Sequence, residues 1–155
     1  MQDHQQEFLE VLEGAVRRES PTEGDPNDLI ACRDYFAGLF REIGFHVTTV
    51  KSLDPRFADH LLVEYGAGAG HAAEELAQWL KTRGRFPVPQ WEPSVGGASR
   101  QLLFGGHYDT VHEKGIFGDS LWNIEGDHAI GPGILDMKSG DVQVYLIAKA
   151  FQDLG

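Results

Sequence analysis

Phe8, Val11, Leu12, Ala15 and Val16 recur at three- and four-residue spacing. That pattern predicts an amphipathic helix with one buried stripe. Ser20-Pro21-Thr22 ends it, because proline cannot continue a helix interior. A second stripe follows in Leu29, Cys32, Phe36, Leu39 and Ile43, with Asp28 as the expected N-cap and Gly44 as the C-terminal stop. Residues 45–50 are rich in β-branched side chains and predict a strand. Residues 60–65 predict another, and the short connection between them favours antiparallel pairing. Gly66-Ala-Gly-Ala-Gly70 stops the second strand. It lacks both the Rossmann spacing and the Lys-Ser/Thr of a phosphate loop, so it reads as a flexible connection.

Further on, Ala73, Leu76, Ala77 and Leu80 mark one face of a short helix that ends at Gly84. A proline-rich extended run follows over residues 85–93. Trp79, Phe86 and Trp91 need a surface to bury against, either on their own domain or on a second subunit or further domain. Leu102-Leu103-Phe104 is an apolar run bounded by glycines, and predicts a buried strand over 102–106. Residues 122–130 read as a hairpin around Glu125-Gly126-Asp127, leading into a Gly131-Pro132-Gly133 turn. Val144, Ile147, Ala148, Phe151 and Leu154 form a last helical stripe. Val142, Tyr145 and Leu146 make the other side apolar too, which predicts burial around most of that helix. The elements together predict an α/β chain, with helices packed on a mixed sheet.

Composition narrows the classes. A chain of 155 residues with 41% hydrophobic side chains can form one domain with a core. Acidic residues outnumber basic ones 24 to 13, for a net charge of -11, which argues against nucleic acid or an anionic membrane as partner. The single cysteine, Cys32, allows no internal disulfide and fits a reducing, cytoplasmic setting. It falls on the second helical stripe, where a buried inert thiol is expected. The first ten residues are polar and acidic, without a signal core, and no apolar run is long enough to span a bilayer.

The candidate chemistry follows the apolar run at 102–104. On an extended chain, residues i and i+2 point the same way, so His107 and Asp109 can face one site. Imidazole and carboxylate suit zinc or a similar divalent ion, with Asp109 able to accept the second ring N–H; the blander alternative for the same two residues is a buried hydrogen-bonded pair. Asp136, in the second glycine-bounded turn, is a further candidate ligand able to bridge two ions through its two oxygens. His112 and His128 are ligands by type only, and each reads as a solvated loop histidine.

His107-Tyr-Asp-Thr-Val111, followed by Gly131-Pro-Gly-Ile-Leu-Asp136-Met-Lys-Ser-Gly140, resembles the two N-terminal motifs of the M20 metallopeptidases. These are zinc aminoacylases, carboxypeptidases and deacetylases, the glutamate carboxypeptidase type being nearest. Glu19-Ser-Pro-Thr-Glu-Gly-Asp25 is similar to that family as well. The resemblance covers nearly the whole chain except about 71–97, where family members usually make a short turn, so an insertion is expected there. It implies that residues 1–155 are the N-terminal part of a peptidase catalytic domain. It assigns His107 as a direct metal ligand, Asp109 as the catalytic carboxylate that orients it, and Asp136 as the carboxylate bridging two zinc ions, with cobalt or manganese as substitutes. It places Ser20-Pro21-Thr22 near the active site, although nothing in that segment is an obvious ligand and it reads as structural. The implied substrate is a small peptide or N-acyl amino acid. The family's general-base glutamate and its other ligands lie beyond the Asp136 motif, and the sequence stops at Gly155 before them, so the chain alone is expected to be inactive. The family's smaller domain serves as a lid or for dimer contacts, which opens homodimerisation to the full-length form. The competing class is a non-catalytic binding or interaction module derived from the same fold.

Overall fold

A computed structural model describes residues 2–54, 57–66, 69–70, 77–78, 81–82 and 102–154. Helix α1 spans Gln2–Val16 and helix α2 spans Pro26–Glu42. The predicted stripes are the faces they bury, with Leu12, Ala15, Val16, Cys32 and Phe36 in one cluster with Val142. The α2 N-cap is Asp25 and not Asp28: its carboxylate accepts from the Asn27 N–H, and Pro26 takes the first helical position. Proline is tolerated there because its missing N–H is one that the helix start leaves unpaired anyway.

The end of α2 is set by Gly44, in the left-handed region at φ +84°. The Gly44 N–H donates to the Arg41 carbonyl at 3.0 Å and the Phe45 N–H to the Phe40 carbonyl at 3.0 Å. These two bonds form a Schellman cap, and the Phe40 and Phe45 rings, 5.9 Å apart, supply its usual apolar contact.

Strands β1 (His46–Val50) and β2 (His60–Glu64) pair antiparallel as expected, with Thr48 opposite Leu62. Strands β3 (Asn123–Glu125) and β4 (His128–Ile130) form the expected hairpin, turned by Gly126 at φ +64°. Helix α3 spans Ser139–Leu154. Helices with small antiparallel sheets make this a mixed α/β arrangement.

Three expectations are corrected. In place of one mixed sheet, the described strands form two separate two-stranded antiparallel sheets. Residues 102–106 form no strand and are exposed, Leu103 at 84%. An apolar run becomes a strand only where a neighbour can pair with its backbone. Among the described residues, the one parallel pairing of this stretch lies further on, between Pro21 and Thr110. Third, α3 is buried on one face only: Val142 and Tyr145 are buried, whereas Ile147, Phe151 and Leu154 are exposed. Its apolar side and residues 102–104 instead border an open groove of about 350 Å³ with Phe36, Phe40, Leu61 and Val63. The expected insertion at 71–97, with Trp79, Phe86 and Trp91, lies outside the described residues except for 77–78 and 81–82, which are helical. No helix among the described residues is long and apolar enough to cross a membrane.

Candidate functional site

The site is assembled by the segment that follows α1. The helix ends at Val16, short of Pro21, and the chain then runs beside residues 108–110, with Pro21 paired in parallel with Thr110. The Thr110 N–H donates to the Ser20 carbonyl at 2.8 Å, and the Thr22 N–H donates to the Thr110 carbonyl at 2.9 Å. The fully buried Ser20 hydroxyl donates to the Tyr108 carbonyl at 2.6 Å. On its other side, the Tyr108 hydroxyl donates to the Asp59 carbonyl at 2.6 Å. Burial of that phenol pushes its pKa up to about 12, so it stays a donor. These bonds do for residues 108–110 what a sheet ladder would have done.

Anchored in this way, His107 and Asp109 face the same site, as alternation along an extended chain requires. Nδ1 of His107 lies 3.1 Å from the Asp109 carbonyl oxygen and 3.2 Å from Asp109 Oδ1. Both are acceptors, so a proton on Nδ1 would have a partner in either. The other carboxylate oxygen of Asp109 accepts from the Thr22 hydroxyl at 2.6 Å.

Asp136 arrives from the opposite side. Gly133, at φ +72°, starts an irregular turn over Ile134–Lys138, where a Cβ at residue 133 would crowd Thr110 and Lys138. The Lys138 N–H closes the turn on the Gly133 carbonyl at 2.9 Å. Asp136 itself departs from helical dihedrals, at φ -134° and ψ 97°. Its Oδ1 lies 3.0 Å from Nε2 of His107. Lys138 is buried completely, and its ammonium donates to the Ala15 carbonyl at 3.1 Å and the Arg18 carbonyl at 2.8 Å. Burial lowers its pKa, against the pull of Cys32, Glu19 and Asp141.

The imidazole of His107 thus has carboxylate oxygens at both nitrogens. Its partial burial works against the charged form. Hydrogen bonding to the Asp109 carbonyl and the Asp136 carboxylate, with the negative charge of both residues, outweighs that and raises its pKa. A neutral ring would point a lone pair at one of the two carboxylates. The arrangement therefore favours a positive charge at Nε2, from a proton or from a metal ion.

Asp141, in the first turn of α3, is a site neighbour that the sequence reading missed. Burial pushes its carboxyl up to about 7, with His107 and Lys138 pulling the other way and Asp109 adding to the rise. Its Oδ2 is buried without a hydrogen-bond partner among the described residues. An acidic residue opening a helix usually signals only a favourable dipole interaction, so its sequence position gave no sign of this burial. Thr22 and Ser20 were noticed as part of a motif, but their contacts span 87 and 88 residues and have no local signal.

His112 and His128 do not join the site. His112 packs edge-on against the Phe117 ring at 5.2 Å, and the exposed His128 pairs with Asp127 at 2.6 Å. Among the described residues, no group of three or more His, Cys, Asp and Glu side chains is arranged to hold a metal ion. The convergent pair consists of His107 Nε2 and Asp136 Oδ1, with Asp109 behind the ring.

No family model matches the chain. Carboxypeptidase G2 from Pseudomonas sp. (strain RS-16) is 29% identical over 153 residues, which cover 99% of this chain and 30% of that protein. The chain is distantly related to this carboxypeptidase and spans about 30% of its length.

Proposed function

We propose that this chain carries part of the metal site of a metal-dependent amide hydrolase of the M20 peptidase, aminoacylase or deacylase kind. The observation that carries the reading is the approach of His107 Nε2 to Asp136 Oδ1 at 3.0 Å, with Asp109 behind the ring at Nδ1. A nitrogen and an oxygen donor of these types fit zinc, and an orienting carboxylate on the far ring nitrogen is the usual support of a histidine ligand. His107 would offer Nε2, Asp109 would hold the proton on Nδ1, and Asp136 would offer its two oxygens, enough to serve one ion or to bridge two. Zinc held there would polarise a substrate carbonyl and make bound water acidic. Distant relation to a carboxypeptidase supports peptides, or N-acyl amino acids with a free carboxylate, as the substrate class.

A second reading is a binding module derived from that fold. It is favoured by the count of convergent donors: among the described residues two side chains meet, whereas catalytic zinc sites use three protein ligands plus water. The first reading requires the His107–Asp136 pair to bind metal, and the second does not. Cobalt(II) titration followed by visible absorption tests that requirement. Ligand-field bands that appear with the chain and vanish in His107→Ala and Asp136→Ala support it. Bands of equal strength in all three proteins overturn it.

A further inference from the structure

We infer that Thr22 is a positioning residue for the metal pair: its hydroxyl fixes the Asp109 carboxylate, and so decides which nitrogen of His107 keeps the proton. This rests on the reading of His107 and Asp136 as ligands.

The argument begins with a competition. A neutral imidazole has one N–H, and His107 has acceptors at both ends. The Asp109 carbonyl and Oδ1 stand at 3.1 and 3.2 Å from Nδ1, and Asp136 Oδ1 stands at 3.0 Å from Nε2. Distance alone does not favour Nδ1. A proton on Nε2 would occupy the lone pair that a metal needs.

Order tips the balance. The Asp136 side chain is 77% exposed and the Asp109 side chain 34% exposed, so water competes more strongly for Asp136. Asp109 is also held from behind. Thr22 Oγ1 has a single proton and two acceptors in reach, Asp109 Oδ2 at 2.6 Å and the Thr110 carbonyl at 3.2 Å. The shorter, charged acceptor takes it. The hydroxyl comes from a fixed platform, since the Thr22 N–H is bonded to the Thr110 carbonyl at 2.9 Å and Pro21 is buried. The β-branched side chain adds a stiff χ1. With Oδ2 tethered, the carboxylate plane keeps Oδ1 on Nδ1. Without the tether the carboxylate turns freely, and the proton shifts toward Nε2.

The test uses the full chain and its Thr22→Val, Thr22→Ser and Thr22→Ala variants. The first measurement is the ¹⁵N shift of both His107 ring nitrogens without metal, at a pH alkaline enough for a neutral ring. The second is zinc affinity by competition with a chelating dye. The parent should be mainly Nδ1–H. Thr22→Val should move population to Nε2–H and weaken zinc about ten- to a hundredfold, as for lost outer supports of a histidine ligand. Thr22→Ser, which keeps the hydroxyl, should restore both. Thr22→Ala carries the same expectation as Thr22→Val and decides the matter if the valine variant does not fold. A valine or alanine variant with a lowered melting temperature but the parent's tautomer ratio overturns the inference, as does a serine variant as impaired as valine. If the parent binds no zinc, the ligand reading fails, and the tautomer ratio still decides the role of Thr22.

Discussion

Asp141 lies against Gly106 so closely that a Cβ at residue 106 would collide with Asp141 Oδ1. The glycine before His107 therefore makes room for a carboxyl group that burial holds at a pKa of about 7. The ordinary aspartate value is about 3.9. Between these values the unfolded chain releases a proton that the native chain keeps. Native stability from this group accordingly falls as pH rises from about 4 to about 7, and the loss is complete above 7. Asp141→Asn should thus be more stable than the parent at pH 8, by at least about 1 kcal/mol, the worth of one pKa unit, and should lose that advantage near pH 4. Urea unfolding at both pH values checks this. An advantage that does not change with pH would contradict it.

Lys138 ties the start of α3 to the end of α1 through the carbonyls of Ala15 and Arg18. Lys138→Met keeps the length of the side chain but takes the ammonium donor from both carbonyls, of which Ala15 still accepts from the Arg18 N–H at 3.2 Å. An unsatisfied buried polar group costs about 1–3 kcal/mol. The variant should lose at least that much stability in chemical denaturation, with the same slope on denaturant. An unchanged midpoint would show that water replaces the ammonium without loss.

What the sequence disclosed divides by range. The stripes of α1 and α2 and the β3–β4 hairpin are local patterns, and they were legible. The α2 cap was misplaced from Asp25 to Asp28 because both are aspartates beside the same helix start, and Pro26 was not weighed as a first helical residue. The run Leu102-Leu103-Phe104 looked like a buried strand because burial was inferred from apolarity. Leu103, at 84% exposure, shows that the inference needs a neighbour, which a one-dimensional pattern cannot supply. At the site, the juxtaposition of His107, Asp109 and Asp136 was legible from two motifs in order. Thr22 and Asp141 were not, since a hydroxyl contact across 87 residues and the burial of a carboxyl leave no periodic trace.

Two convergent donors do not make a catalyst. The chain should show no amide hydrolysis above background on dipeptides or N-acyl amino acids, with or without zinc or cobalt. Glu113 is exposed in its loop, and Glu125 is exposed and accepts from the Asn123 side chain at 2.8 Å, so neither is offered as a base beside His107. A positioned base contributes about a hundred- to ten-thousand-fold in rate. Coupled-enzyme or chromatographic assays with a chelator control would measure this. Chelator-sensitive turnover that Asp136→Ala removes would mean that the site is completed in some other way, for instance by a second copy of the chain.

The central claim is that His107 and Asp136 together bind metal. Calorimetric titration with zinc of the parent, His107→Ala, Asp136→Ala and His112→Ala tests it most directly. Weak binding by the parent is expected, because affinity follows the number of ligands. Loss of either convergent residue should lower it more than about a hundredfold, beyond the ten- to hundredfold cost of losing an outer support. His112→Ala, whose ring packs on Phe117 away from the pair, should bind as the parent does. Equal loss in His112→Ala, or parent-like binding in His107→Ala, would contradict the account.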